Sequence, residues 1–167
     1  MDEQTIRTLI REAISARRQA YAPYSHFCVG AALLTAAGKI YSGCNIENAA
    51  YTPTNCAERT AFFKAVSEGE RDFAAIAIVG GKAGEALAPT APCGVCRQVM
   101  REFCAPEKFR IILATSEEDY QIYTLAEFFP QGFGPNNLQV EEMNDPGTKN
   151  VPGFFMGGGF RDSCPLY

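Results

Sequence analysis

The sequence predicts an α/β domain of three layers, with helices on both faces of a mixed central sheet. Short apolar runs alternate along the chain with segments of helical periodicity, the pattern of a sheet enclosed by helices. Phe73 to Val79 is continuously apolar and bounded by Gly80-Gly81, as a strand buried on both faces would be, and Phe109 to Ala114 predicts a second buried strand. Two cysteine motifs each open a helix after a strand or loop, which is where sites form in such sheets.

Taken in order, Ile6, Leu9, Ile10, Ala13 and Ile14 fall at helical spacing between charged residues, predicting an amphipathic first helix that ends before Pro23. Cys28 to Leu34 and Ile40 to Cys44, joined around Ala37-Gly38, predict a β-hairpin. The polar segment Asn45-Ile46-Glu47-Asn48 follows directly, well placed at a strand end to line a site. A second helix is expected from about Cys56 to Ser67, with Asn55 as its N-cap, stopping near Gly69. A loop rich in Gly, Ala and Pro leads to Pro92, which suits the opening turn of a third helix reaching about Phe103. Gln121 to Thr124 predicts a shorter strand, and Leu125 to Phe129 a brief helix before Pro130. No internal repeat is present.

The 167 residues fit one domain, and 47% hydrophobic content suffices for a core. The net charge is −4, and no basic run exceeds Arg17-Arg18, which argues against a polynucleotide partner. The seven cysteines are odd in number, and Met1 to Thr5 carries no apolar signal region, so a disulfide framework is not expected. No apolar stretch approaches the ~20 residues of a membrane span. A cytoplasmic protein with reduced thiols is expected.

Cys56-Ala57-Glu58-Arg59 and Pro92-Cys93-Gly94-Val95-Cys96 carry the chemistry. Three thiols suggest a zinc ion with an open coordination position, able to bring the pKa of a water toward neutrality. Cys93 and Cys96 lie three apart and share one face of a helix. Cys56 and Glu58, two apart, would diverge on a regular helix, so Cys56 is expected at the helix mouth with Glu58 one step inside, free to carry protons. Three thiolates around Zn²⁺ leave a formal charge of about −1, and two helix N-termini with a nearby cation would offset it. Arg59 is the candidate cation; a solvated surface Arg is the alternative. A closed structural site would need Cys104 or Cys44 as fourth ligand, although Cys104 lacks a usual ligand spacing. A thioredoxin-like Cys93–Cys96 pair would leave Cys56 and Glu58 without a role. His26, the only histidine, has no ligand spacing to Cys56 and suggests a structural hydrogen bond. Phe27 fits the core or a pocket wall, with composition favouring the core. Asn45 and Glu47 together could meet vicinal hydroxyls, with an ordinary polar turn as the alternative.

From about Ile6 to Leu138 the chain resembles the homotetrameric zinc-dependent cytidine deaminases. The resemblance rests on Tyr24-Ser25-His26-Phe27, Val29-Gly30-Ala31-Ala32-Leu33, Gly43-Cys44-Asn45-Ile46-Glu47-Asn48-Ala49, Cys56-Ala57-Glu58-Arg59-Thr60-Ala61, Pro92-Cys93-Gly94-Val95-Cys96-Arg97-Gln98 and Phe133-Gly134-Pro135, in that order. A thiol, a spacer and Glu, then Pro-Cys-x-x-Cys, is also the signature of zinc nucleobase deaminases in their three-Cys form. The resemblance implies zinc held by Cys56, Cys93 and Cys96, and Glu58 as proton shuttle. It implies ribose binding by Asn45 and Glu47, Phe27 packed beside the nucleoside, and Ala57 meeting the base through its backbone. Arg59 would hydrogen-bond the zinc thiolates, and Tyr51 and Phe133 would approach the pocket from neighbouring subunits. Cys28 stands where relatives often carry Pro or Lys, and Ala91 where Ser is common.

The implied activity is hydrolytic deamination of cytidine and deoxycytidine in pyrimidine salvage, by a homotetramer whose partner is a small nucleoside and not nucleic acid or membrane. The alternatives are a deaminase of another cytosine nucleoside such as blasticidin S, a non-catalytic zinc-stabilised module, or a redox protein. Residues 1–138 are expected to form the catalytic domain and 139–167 an extension without catalytic part. Within the extension, Pro146-Gly147, Pro152-Gly153 and Gly157-Gly158-Gly159 argue against regular structure, while Val151, Phe154, Phe155, Met156, Phe160 and Leu166 are too apolar for an ordinary solvated tail. A docked strap is expected there.

Overall fold

The computed structural model describes residues 1–138. The expectation of a docked strap falls on 139–167 and lies outside them. The described chain runs α1 (Glu3–Arg17), β1 (Phe27–Thr35), β2 (Ile40–Cys44), α2 (Ala57–Ser67), β3 (Phe73–Lys82), α3 (Gly94–Phe103), β4 (Arg110–Ala114), β5 (Tyr120–Thr124), α4 (Leu125–Phe128), and a final 3₁₀ turn (Pro135–Leu138).

The five strands form one sheet in the order β2-β1-β3-β4-β5. The β1–β2 hairpin is antiparallel, β1 pairs antiparallel with β3, and β4 with β5, while β3 and β4 are parallel. A parallel pair needs a long crossover, and α3 supplies it. The mixed sheet expected from the sequence is the one observed.

Side-chain alternation along the strands separates the two faces. Ala32 and Leu34 of β1 with Ala77 and Val79 of β3 pack against Leu9, Ile10 and Ala13 of α1. Ala31 and Leu33 with Ile76 and Ile78 point the other way, onto Ala61 and Phe62 of α2 and Met100 of α3. Leu9, Ile10, Phe62, Ile76, Ile78 and Met100 are fully buried. Each such side chain contributes about 1.5–3 kcal/mol relative to exposure, so the two faces jointly hold the layers together. Helix α1 is capped by Asp2, whose carboxylate accepts from Thr5 N at 2.7 Å, with Glu3 in its first turn and Arg17 in its last.

Two helix starts differ from expectation. The N-cap of α2 is Cys56 rather than Asn55, whose side chain instead donates to Thr60 Oγ1. Cys93 caps α3, so Pro92 precedes the helix instead of lying in its first turn. The caps were assigned from residue preference, and a sulfur required elsewhere has displaced the usual oxygen.

The sheet fixes the place of α2 through a close approach. A Cβ at Gly43 on β2 would lie 2.6 Å from both Ala57 O and Ala61 N, so only glycine lets the helix backbone sit there. Gly43→Ala is therefore expected to destabilise the fold by about 1–3 kcal/mol in urea denaturation, because α2 must move as a unit. Unchanged stability would show that the helix position is not set by this contact.

Candidate active site

Helices α2 and α3 begin at the same place. Their N-cap residues are Cys56 and Cys93, both in extended backbone conformation, and neither sulfur bonds its own helix. A capping side chain usually accepts from the first turn of its helix. Here the sulfurs face one another instead: Cys56 Sγ is 3.8 Å from Cys93 Sγ, and Cys93 Sγ is 3.6 Å from Cys96 Sγ. All three sulfur atoms lie within 4.8 Å of one another, the one cluster of potential metal ligands among the described residues.

These residues fit a zinc ion. Thiolates are soft donors suited to it, three converge on one point, and among the described residues no fourth protein ligand joins them. Cys104 caps the far end of α3, ten residues or ~15 Å along the helix, and Cys44 donates to Gln19 O at 3.3 Å. The two candidates for a closed site are thus engaged elsewhere, and among the described residues nothing fills the fourth position.

Glu58 lies in the first turn of α2 and is 4% exposed. Burial pushes its carboxyl up to about 7, with the Cys56 charge adding to the shift and its own backbone N–H opposing it. The hydrogen bond from Cys96 pulls the Cys56 thiol down to about 5, helped by Arg59 and Cys93. Cys96 rises for the complementary reason, since it donates to Cys56 and is buried.

Arg59 is half-buried, not a solvated surface residue. Its Nη2 donates to Thr54 O at 3.1 Å and approaches Cys56 Sγ at 3.8 Å, and its buried Nε has no hydrogen-bond partner. Thr54 in turn lines a cavity of about 400 Å³ with Tyr24, Ser25, Glu47 and Tyr51. Arg59 therefore bridges the thiols and the cavity.

Glu47 is held in that cavity by two backbone donors, Tyr24 N at 2.8 Å and Ser25 N at 3.2 Å, both to Oε2. Ser25 and the Tyr24 amide keep its carboxyl below the usual range, so it is an acceptor at neutral pH. Asn45 Oδ1 accepts from Val29 N at 2.8 Å and Nδ2 donates to Phe27 O at 2.8 Å, which leaves one N–H for a ligand. Ala57 is fully buried at the first position of α2, where the backbone N–H has no intrahelical partner.

Phe27 and His26 meet a different outcome. Phe27 is half-buried at the start of β1 and belongs to neither core cluster, contrary to the composition argument. His26 adopts φ +56, and its hydrogen bonds are made by the backbone: its N–H donates to Ala22 O, and its carbonyl accepts from Ala83 N. Tyr51, also left-handed at φ +58, is 75% exposed with its ring centroid 6.3 Å from that of Tyr24. Phe133 is 57% exposed and is not among the residues lining the cavity. Tyr24 and Thr54 were not singled out as site residues; they line the cavity through chain reversals that periodicity cannot reveal.

Residues 3–112 match the family model described as the cytidine and deoxycytidylate deaminase zinc-binding region. The chain belongs to that family. A cytidine deaminase of Sporosarcina psychrophila is 51% identical over 133 residues, covering 80% of this chain and 94% of that protein. One from Halalkalibacterium halodurans is 50% identical over 145 residues, covering 87% of this chain and all of the relative. The crystal structure of cytidine deaminase from Burkholderia pseudomallei superposes with a TM-score of 0.68 at 48% identity, covering 75% of this chain and 97% of that one. The family and the fold expected from the sequence motifs are thereby borne out, and the zinc-binding description agrees with the three-thiol cluster of this deaminase chain.

The raised Glu58 carboxyl has a consequence for stability in the metal-free deaminase. Between pH 4.5 and about 7 the folded chain holds a proton that the unfolded chain has released. Unfolding is then favoured by up to about 1.4 kcal/mol per pH unit, on the order of 3 kcal/mol in all. Stability from this group is greatest below pH 4.5 and declines as pH rises through 7, where the loss levels off. Glu58→Gln removes the penalty, so its advantage over wild type should grow across that window in urea denaturation with chelator present. An advantage independent of pH would contradict the assignment.

Proposed function

We propose that this chain catalyses the hydrolysis of cytidine and 2′-deoxycytidine, consuming one water and releasing uridine or 2′-deoxyuridine and ammonia. The observation that carries the reading is a buried Glu58 beside three converging thiols that no fourth protein ligand joins among the described residues. Curated relatives at 51% and 50% identity bear the name cytidine deaminase, which supports it.

Zinc held by Cys56, Cys93 and Cys96 supplies the Lewis acidity that lets a water ionise near neutral pH. The remaining work falls to the chain's own groups. Glu58 takes one proton from the water and delivers it to N3 of the pyrimidine, then takes the second from the hydroxyl added at C4 and passes it to the amino group so that ammonia leaves. A carboxyl kept out of bulk water beside the site can both accept and release protons in one cycle. Arg59 and the two helix N-termini offset the excess negative charge of the thiolates. Glu47 accepts from a ribose hydroxyl through the oxygen its backbone donors leave free, and Asn45 offers its remaining N–H. Phe27 forms a wall beside the nucleoside, and the Ala57 backbone meets the base. Tyr51 and Phe133 reach the pocket of a neighbouring copy, which their exposure on one protomer favours. A homotetramer acting on free nucleosides in cytoplasmic pyrimidine salvage follows from this reading, and among the described residues no helix is long and apolar enough to cross a membrane.

Residues 1–138 form the catalytic domain in this reading, and 139–167 dock as an extension without catalytic part. Truncation after Asn144 is expected to lower the melting temperature or loosen the assembly with zinc content intact; unchanged stability and assembly would remove the docking.

The purified protein should convert cytidine to uridine, followed by loss of cytidine absorbance. Glu58→Gln should keep the fold and one zinc per chain yet lower turnover by several orders of magnitude, because the proton carrier is lost while the shape remains. Comparable turnover in the variant would sink the proton-shuttle role, and an inert wild type would sink the activity.

A further inference from the structure

Beyond its cysteines, α3 directs three side chains at the end of α4 and at the irregular segment that follows it. Arg97 Nη1 donates to Phe128 O at 2.9 Å, Gln98 Nε2 to Phe133 O at 3.1 Å, and Arg101 Nε to Gly132 O at 3.3 Å. Arg97 also donates from Nε to Pro92 O at 2.8 Å, so the turn that presents Cys93 is tied to the same helix face. The segment 129–134 contains Gln131 at φ +54 and a buried Gly134 against the Arg101 guanidinium. A Cβ at Gly134 would lie 2.9 Å from the guanidinium carbon, so the backbone rests directly on that side chain.

An irregular surface segment normally satisfies its carbonyls with water. Ordering two arginines and a glutamine to do so costs side-chain entropy. Burial of the residue they hold does not offset that cost, since Phe133 is 57% exposed. The contacts fix a position rather than a core. A large apolar ring displayed to solvent on an immobilised backbone is preorganised for a flat partner, because the ordering has been completed before binding.

We propose that Gln98 and Arg101 are positioning residues, holding the backbone at Gly132 and Phe133 so that the Phe133 ring meets a bound pyrimidine in one orientation. This rests on the proposed function, in particular on Phe133 contacting the nucleoside. Helix α3 then serves two pockets: its mouth carries Cys93 and Cys96 of its own site, and the same helix sets the aromatic contact offered to the pocket of the neighbouring copy.

The test measures kcat and KM for cytidine, zinc content and melting temperature in Gln98→Leu, Arg101→Met and Arg101→Lys, each also combined with Phe133→Ala. Gln98→Leu and Arg101→Met are expected to raise KM about fivefold, or ~1 kcal/mol at 1.4 kcal/mol per tenfold, with kcat within about twofold and one zinc retained. Arg101→Lys should recover part of the loss, since it keeps a charged donor in reach of Gly132 O. In the Phe133→Ala background the same substitutions should change KM no further, because residues acting through one ring are non-additive. An unchanged KM in both single variants, or an equal rise with and without Phe133, would overturn the positioning role and leave the structural one. A wild type inert toward cytidine would instead overturn the functional reading.

Discussion

The constraint on which the structure depends is the meeting of two helix mouths at their capping sulfurs. Cys56 and Cys93 occupy positions that oxygen-bearing side chains usually fill, and neither bonds its own helix. Each helix therefore leaves its first-turn donors free and points the positive end of its dipole at the cluster. The sheet must hold both helices on one face at a fixed spacing for this to work. Gly43 permits the close seat of α2, and the parallel β3–β4 pair carries α3 as its crossover. The layering thus serves the site, and the site in turn accounts for caps that local preference would reject.

Charge balance at the cluster explains the residues around it. Cys56 and Cys96 compete for negative charge: the contact with Cys96 and with Arg59 pulls the Cys56 thiol down, whereas Cys56 and burial push the Cys96 thiol up. A divalent ion would remove that competition and leave about one excess negative charge, against which Arg59 and the helix termini are set. Glu58 experiences the same field from a dry position. Burial raises its carboxyl, and the neighbouring sulfur charge adds to the shift. One residue of spacing decides the difference between ligand and proton carrier: Cys56 at the cap faces the cluster, and Glu58 lies within the first turn.

Much of this was legible in the sequence because period and spacing are local. The alternation in β1 and β3, the helical stripe of α1 and the motif order all translate directly into layers. The cap positions were not legible, since Asn55 and Pro92 are the better local candidates and lose to a tertiary demand for sulfur. Phe27 was placed in the core by composition, yet it opens β1 beside the Asn45 side chain and is only half-buried. Tyr24, Ser25 and Thr54 converge on Glu47 through turns around left-handed residues His26 and Tyr51, a geometry without any periodic signature.

Asn45 and Glu47 show how structural and binding roles merge at a strand end. Strand β2 stops at Cys44, and the Asn45 amide then takes over its ladder, accepting from Val29 N and donating to Phe27 O as a peptide group would. Two residues on, Glu47 collects the Tyr24 and Ser25 amides and so fixes the loop that forms the cavity wall. Neither side chain is free to reorient toward a ligand, and neither needs to, because the hydrogen bonds already direct what remains of each. Removing either would unmake the wall along with the contact, leaving the backbone groups of the neighbouring turn or strand end without their side-chain partners. A loss of binding from such a variant therefore measures the strand end as much as the ribose contact, whereas replacing a ligand hydroxyl leaves the strand end intact and isolates the contact alone.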